Sequence, residues 1–440
     1  MTLSLSRENS KSKSTFDGRD LFELLQTESL EAHFQPILSL SNHSVVGYEG
    51  LARGIRPSGA GIIPPFVLFE TARREGRLID LDRLCRNVVL EEYRNIQREK
   101  EGSLLFLNFE SSLLNTVVPG NGHLFEQIRG KGISPSDVVI EIIESRVNNI
   151  TNLIKFVDFY RRKGFLIALD DVGTGYSNFD RITAIKPDIL KIDRSILKDI
   201  EKDYYKQEVF RSMGNLAKKT GALVLAEGVE TQEEALYVMD LNADLAQGYY
   251  FAVPQPYCSG IDENAHEVIS QVRDRFRRYK IRKIGAARRQ HQLYDNVMKY
   301  VVERLSDKTP HCFNDLLQEV INEFSYIEAL YILDKSGMQC TDTVLNGRVA
   351  SRNKIFQSAQ RGDDLSLKEY FYLLIDSGLP KYTTESYISF ATGNLCRTIA
   401  AAFMSLDNQH YVLCADISEA GSCCDAAGGF EVRASETSGT

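Results

Sequence analysis

Acid and amide side chains recur where the apolar runs of this chain end. Glu49 closes VVGYE, Asn108 closes LLFLN and Glu141 follows VVI. Asp170 and Asp171 end LIALDD, Glu227 ends LVLAE and Gln247 ends LAQ. Lys191 lies inside ILKI, with Asp193 just beyond it. If the runs are neighbouring parallel strands, seven of them aim polar groups at one mouth, the end that carries the chemistry in a parallel barrel. So many carboxylates in a low dielectric repel one another, so a cation must sit among them. The donors are all oxygen, with no Cys or His, which selects a hard ion such as Mg²⁺ or Mn²⁺ over zinc. Adjacent aspartates can serve two ions, one shared and one terminal, and two-metal sites support in-line attack on phosphate esters. Lys191 is the one cation within these runs; it would orient an attacking water or neutralise developing charge.

Each element taken singly has a plainer reading. Asp170 and Asp171 before Gly173 are also turn chemistry, and so is Glu227 before Gly228. Glu141 and Glu144 fit surface carboxylates, and Lys191 fits a lysine snorkelling at a strand end. The GTG that follows lacks the full G-x-G-x-x-G phosphate cradle. The case for one site rests on their succession along the chain.

The elements that must position these residues alternate. A chain of 440 residues holds two or three domains. Strand candidates are His33–Leu38, Val45–Ala52, Leu104–Phe109, Val138–Ile143, Phe165–Asp170, Ile189–Ile192, Ala222–Ala226 and Leu245–Phe251. Helical patterns such as Asn152–Lys163, Lys206–Thr220 and Thr231–Leu241 fall between them. Alternation over 18–260 predicts an α/β parallel barrel, with a doubly wound open sheet as the competitor. The gap between the first two strands is too short for a crossover helix, so they form an antiparallel hairpin. A charged connecting helix follows over 261–305, then a small α+β module over 306–418 with strands at Ala329–Asp334, Ser386–Thr392, Cys396–Ser405 and Tyr411–Asp416. Residues 1–17 and 419–440 read as disordered tails.

Composition narrows the function. A net charge of −8 argues against a nucleic-acid polymer as partner. Eight cysteines without C-x-x-C spacing, the adjacent Cys423 and Cys424 included, read as reduced thiols. With no signal peptide and no membrane-length apolar run, a cytoplasmic protein without membrane insertion is expected.

Eight motifs, in order, resemble the EAL domain of bacterial cyclic-di-GMP phosphodiesterases: FQPI (34–37), YEGLAR (48–53), LNFE (107–110), VVIEIIES (138–145), ALDDVGTGYS (168–177), LKIDRS (190–195), AEGVET (226–231) and QGYYFAVP (247–254). The resemblance implies a TIM-like (β/α)8 barrel with an antiparallel opening strand. It implies hydrolysis of cyclic di-GMP to linear pGpG with two Mg²⁺ or Mn²⁺ ions. On this sequence, Glu49, Asn108, Glu141 and Asp170 would hold one ion. Asp170 would be shared with a second, held also by Asp171 with Asp193 nearby. Lys191 and Glu227 would position and deprotonate the water, and Gln247 would support the water or the phosphate. Gln35, Leu51, Arg53 and Pro254 would contact the dinucleotide. Glu144 would hold the loop Val172–Ser177, and Glu230 would support the Lys191 end of the site. The chain departs from the family at Gly50, where alanine is usual and where glycine makes the strand more permissive. Val172 and Asn178 also depart, which bears on the order of the loop.

The C-terminal stretch more weakly resembles a PAS-like module of the PDC (Cache) kind. Tyr370, Tyr372 and Tyr382 would line a pocket for a small ligand there, or serve as core aromatics. A homodimer is expected, with the connecting helix coupling this module to the barrel. Two alternatives to an enzyme stay open: a receptor that binds cyclic di-GMP without turnover, and a dimeric interaction protein.

Overall fold

The structure, a computed structural model, describes residues 16–56, 61–115, 122–143, 147–173, 179–258, 260–348 and 357–418. The chain divides into two compact units at Arg278/Tyr279, a boundary inside the 47-residue helix Gly260–Ser306.

In the first unit the strands are β1 (Leu30–Ser39), β2 (Ser44–Ile55), β3 (Ile62–Ile63), β4 (Leu104–Phe109), β5 (Val138–Ile142), β6 (Leu166–Val172), β7 (Ile189–Ile192), β8 (Leu223–Glu227) and β9 (Leu245–Gln247). β2 and β4 through β9 pair in parallel succession, and β1 closes the ring by pairing antiparallel with both β2 and β9. The short β3 lies outside the ring on β2. This is the closed barrel with an antiparallel opening strand that the alternation predicts, and the open sheet is excluded. The last strand is shorter than its apolar run. It ends at Gln247 because the next backbone lies hard against Val229; a Cβ at Gly248 would sit 2.0 Å from the Val229 carbonyl oxygen.

The helices between strands bury one stripe each. Ile150–Arg162 starts where the Asn149 side chain accepts from Asn152 N, and it buries Leu153, Phe156, Val157 and Tyr160 against the barrel. The expected N-terminal tail is shorter than 1–17. Asp17 caps the helix Gly18–Thr27 in a capping box, and Phe16 is buried with Leu21 and Leu24. The remainder of that tail, and 419–440 with Cys423 and Cys424, lie outside the described residues. The six cysteines among the described residues are all free thiols. No helix of the described residues is long and apolar enough to cross a membrane.

Inside the barrel the side chains are layered. Ile37, Phe106, Val139, Ala168, Ile189, Leu225 and Leu245 form one apolar cluster. Two residues toward the mouth on the same strands stand Gln35, Asn108, Glu141, Asp170, Lys191, Glu227 and Gln247. Glu49 on β2 stands opposite Gln35 in register. Period-two alternation therefore puts one polar residue from each strand above an apolar floor.

The second unit is a six-stranded antiparallel sheet. Its strands are β10 (Ile327–Asp334), β11 (Val344–Leu345), β12 (Lys381–Thr383), β13 (Tyr387–Ile388), β14 (Leu395–Met404) and β15 (His410–Ser418), in the order β11-β10-β15-β14-β12 with β13 on β14. The strand expected over 386–392 is only the two residues of β13; Ser389 and Thr392 turn inward instead, donating to buried Asp416 and Glu328. Tyr370 is a core residue whose hydroxyl bonds to Tyr331 at 2.8 Å, whereas Tyr372 is 41% exposed.

Asp416 is fully buried, and its oxygens accept from Thr398 Oγ1 at 2.7 Å and Ser389 Oγ at 3.0 Å. Burial, aided by the Glu328 charge and opposed by those hydroxyls, pushes its carboxyl from 3.8 up to about 6. The folded chain thus holds this proton more tightly than the unfolded chain. The resulting stability is complete below about pH 4 and is lost as pH rises to about 6, a change of about 3 kcal/mol. Asp416→Asn should gain stability relative to the native chain across that interval, read by calorimetry of the full chain. A constant difference from pH 4 to 7 would refute this.

Candidate active site

The Lys191 ammonium is the centre of the polar ring. Its side chain, on β7, is 0% exposed, which excludes a snorkelling role. Nζ lies 2.7 Å from Glu141 Oε1, 3.2 Å from Asp170 Oδ1, 3.5 Å from Glu227 Oε2 and 3.9 Å from Glu49 Oε1. None of the four contacts meets the geometry of a hydrogen bond, so they are charge contacts rather than directed bonds. Burial works against the Lys191 charge, but Asp170, Glu141, Glu227 and Glu49 outweigh it and hold the lysine protonated.

One ammonium cannot neutralise four carboxylates. Burial, reinforced by the Glu49 charge, holds the Glu141 carboxyl well above its ordinary range. Burial also raises Glu227, against the pull of Lys191 and with that of Asp170, to about 8. Glu227 nevertheless keeps 29% of its side-chain surface open, so it forms the rim of the ring. Glu49 goes the other way. Burial would raise it, but Lys191 and hydrogen bonds from Gln247 and Asn108 prevail and keep it ionised.

Glu49 is held from both sides. Asn108 Nδ2 donates to its Oε1 at 2.7 Å, and Gln247 Nε2 donates to its Oε2 at 2.6 Å. Gln247 Nε2 also reaches Gln35 Oε1 at 2.9 Å, while Gln35 Nε2 donates to the Ala252 carbonyl at 2.9 Å. The amide of Gln35 is thus committed to protein partners, and the sequence reading missed that Gln35 and Gln247 form a chain ending on Glu49. Only the pairing of β1 with both β2 and β9 reveals it.

The Asp170–Asp171 pair sits on a β-bulge. Leu169 pairs with Leu190 but Val172 pairs with Ile192, so β6 spends three steps where β7 spends two. Asp171 takes the left-handed conformation at φ 56°. In a regular strand the two aspartates would face opposite ways. The bulge breaks that alternation, leaving Asp170 buried, Asp171 half-buried and Val172 back in the core. Val172 is therefore the strand's last residue rather than part of a mobile lip. Glu144, Asn178 and the loop beyond Gly173 lie outside the described residues.

The other expected residues are dispersed around this ring. Asp193 follows β7, and its Oδ1 accepts from Ser195 N at 2.8 Å, capping the short helix Arg194–Leu197. Glu230 accepts from Arg194 Nη2 at 2.5 Å, and Arg194 Nη1 donates to the Gly228 carbonyl, next to Glu227. Leu51 and Arg53 lie half-buried on β2, and Pro254 is half-buried with its carbonyl 3.3 Å from His33 Nδ1. Gly50 is not a point of slack. A Cβ there would meet Val89 Cγ1, from the helix Leu78–Glu99, at 2.3 Å. The missing methyl is space already filled.

Both Glu141 oxygens, Asp170 Oδ1, Glu227 Oε2 and Gln247 Oε1 are buried without a hydrogen-bond donor. These are all oxygen donors with an excess of negative charge, and by that chemistry they fit a hard divalent cation. As they stand the acids face the ammonium, and no three acids among the described residues are already spaced around one ion.

The chain is similar to several known proteins. The chain is 26% identical over 402 residues to the EAL-domain protein YkuI of Bacillus subtilis, covering 88% of this chain and 94% of that protein. A crystal structure of YkuI in complex with cyclic di-GMP and calcium matches 91% of this chain and 99% of that one with a TM-score of 0.75 at 24% identity, a likeness of fold. The cyclic di-GMP phosphodiesterase NbdA of Pseudomonas aeruginosa is 29% identical over 245 residues, 54% of this chain. The probable cyclic di-GMP phosphodiesterase PdeG of Escherichia coli is 29% identical over 228 residues, 51% of this chain. The matches span 30% of NbdA and 44% of PdeG, less than half of either protein. The EAL domain model matches residues 19–254, over half of the 440 residues, and the chain belongs to the EAL-domain family.

Proposed function

We propose that this chain hydrolyses cyclic di-GMP to linear pGpG. The observation that carries the reading is the closed ring of eight polar side chains, one per strand, with Lys191 buried among four carboxylates. Water adds across one phosphodiester: a new P–O bond forms at phosphorus, the P–O3′ bond breaks, and the ribose oxygen takes a proton. Glu49, Asn108, Glu141 and Asp170 would hold one Mg²⁺ or Mn²⁺, and Asp170 and Asp171 a second, with Asp193 nearby. Bound there, the ions would supply a nucleophilic water at neutral pH and polarise the phosphoryl oxygens.

The chain's own groups divide the remaining work. Glu227, on the rim, takes the proton of the attacking water; burial holds its carboxyl above the ordinary carboxylate range, which makes it a stronger base once ionised. Lys191 holds its charge 3.5 Å from Glu227 and 3.2 Å from Asp170, so it keeps the water and its base oriented as charge develops. Gln247 acts by fixing Glu49, and Gln35 by fixing Gln247, rather than by touching phosphate. Arg53 pairs with a phosphate oxygen, with Leu51 and Pro254 against the dinucleotide. Glu230 serves Glu227 through Arg194 and Gly228. The second unit is a sensory module, and the chain works as a homodimer in the cytoplasm.

Incubating the full chain with cyclic di-GMP and Mg²⁺ or Mn²⁺ and separating the nucleotides should yield pGpG. Glu49→Gln keeps the shape and removes the charge. It should lower turnover by more than ~100-fold, since even partners behind metal ligands cost roughly 10- to 100-fold. Tight binding without product would favour a receptor, and no binding at all would favour an interaction protein. Full turnover by Glu49→Gln would displace Glu49 from the site.

A further inference from the structure

The strand that carries Glu49 is tied on its outer face to the helix that leaves the barrel. Side chains alternate along β2, so with Glu49 inward Tyr48 points outward. Tyr48 is 1% exposed, and its hydroxyl donates to Asp262 Oδ1 at 2.5 Å. Asp262 lies in the first turn of the helix Gly260–Ser306 and is itself buried. Its Oδ2 is 2.7 Å from Nζ of Lys100, the residue that ends the helix Leu78–Glu99. The Tyr257 ring packs edge-on to Tyr48 with centroids 5.6 Å apart.

A carboxylate in a first helical turn is ordinarily solvated and gains a little from the helix dipole. Here it is withdrawn from water and shared between a tyrosine on the catalytic strand and a lysine at the end of another helix. Burying a charge this way is tolerated only with close partners, so the geometry is stiff. On either side β2 has no room to shift. A Cβ at Gly47 would meet the Leu104 carbonyl oxygen at 2.3 Å, as one at Gly50 would meet Val89. Tyr48 and Glu49 share a peptide plane, so the bond that fixes the Tyr48 ring also fixes the Cα of Glu49.

We infer that Tyr48 and Asp262 are positioning residues for Glu49. The inference rests on the reading of Glu49 as a metal ligand. It makes the start of the 47-residue helix, which continues past Arg278, part of the support of the site.

The test uses full-length Tyr48→Phe, which removes only the hydroxyl, and Asp262→Asn. Mn²⁺ binding is followed by electron paramagnetic resonance well below the melting temperature, alongside kcat and KM for cyclic di-GMP. Each variant should weaken Mn²⁺ binding about 10-fold and lower kcat at limiting Mn²⁺, with KM for the nucleotide unchanged. Asp262→Asn also loses the Lys100 ion pair, so the double variant should lose less than the sum of the two single losses, because both act through the Tyr48–Asp262 contact. Native Mn²⁺ affinity in both variants, even with a lowered melting temperature, would overturn the inference and leave the contact merely structural. If the native chain binds Mn²⁺ but makes no pGpG, the phosphodiesterase reading fails while the affinity shift still decides this inference. A native chain that binds no Mn²⁺ overturns both.

Discussion

Lys191→Met should reduce kcat by about 10²- to 10³-fold with little change in KM, the scale seen when one preorganised group is removed from a charge-stabilising site. The side chain is entirely buried on β7, so the substitution fills nearly the same volume and removes only the charge. What it leaves behind is four carboxylates, three of them within 3.5 Å of the lost ammonium, with nothing positive between them. Burial already raises Glu141 and Glu227, and the Lys191 charge opposes it in both. Without the lysine these acids hold their protons still more tightly in the folded chain than in the unfolded one. Metal-free Lys191→Met should therefore be most stable at low pH and lose stability as pH rises from the ordinary carboxylate range through the raised values of these acids. Added Mg²⁺ or Mn²⁺ should restore stability at the upper end by replacing the lost charge. A raised KM with native kcat would remove the lysine from the chemistry. A metal-free variant whose melting temperature differs from the native one by a constant across that range would contradict the charge account.

The second large effect is expected at Gly50, where restoring the family's alanine should harm this protein. Two terms oppose each other. Replacing a strand glycine by alanine narrows the unfolded ensemble and favours folding by about 0.4–1 kcal/mol. Against it, the new Cβ would lie 2.3 Å from Val89 Cγ1 and 3.2 Å from Leu105 Cδ1. Val89 is 2% exposed, sits within a helix, and as a β-branched residue has one favoured rotamer there, so it cannot swing away. Overpacking of this kind costs typically 1–3 kcal/mol, and packing wins. Gly50→Ala should lower the melting temperature by several degrees and, because Gly50 follows Glu49 directly, weaken turnover as well. Gly50→Ala combined with Val89→Ala should recover most of the turnover, with a coupling of about 1 kcal/mol or more in stability. A single Gly50→Ala variant as stable as the native chain would show that the helix yields, and the glycine would then be incidental.

Much of the barrel and its ring was legible in the sequence because both follow short-range rules. Apolar runs ending in Asn108, Glu141, Asp170, Lys191 and Glu227 need only strand periodicity to be placed at one level. The few residues between β1 and β2 decide their antiparallel pairing. What escaped depends on partners distant along the chain. Gln247 grips Glu49 from 198 residues away, and Tyr48 reaches Asp262 across 214. The meaning of Gly50 required Val89, which no local pattern connects to it. The end of β9 at Gln247 likewise required Val229, since LAQGYYF alone reads as one strand. The bulge at Asp170–Asp171 was hidden for a different reason: two adjacent acids have the same composition in a turn, a regular strand or a bulge, and only the register against β7 separates them. In the second unit, Ser389 and Thr392 were mistaken for strand because buried carboxylates that draw hydroxyls inward leave no periodic mark.

Beneath the polar ring, Phe106, Val139, Ile189, Leu225 and their neighbours seal the barrel. Over this apolar floor of low polarisability the field of the acids is strongest toward the mouth. A dinucleotide carrying two phosphate charges is repelled there, and a divalent cation is drawn in. For the substrate proposed here, the acids would favour metal binding before the anion, because bound cations at Glu49, Asn108, Glu141, Asp170 and Asp171 would offset the charge that repels it. Opening the cyclic substrate would turn one phosphodiester into a more highly charged phosphate monoester, so the same site would hold the product more tightly than the substrate wherever cations are bound.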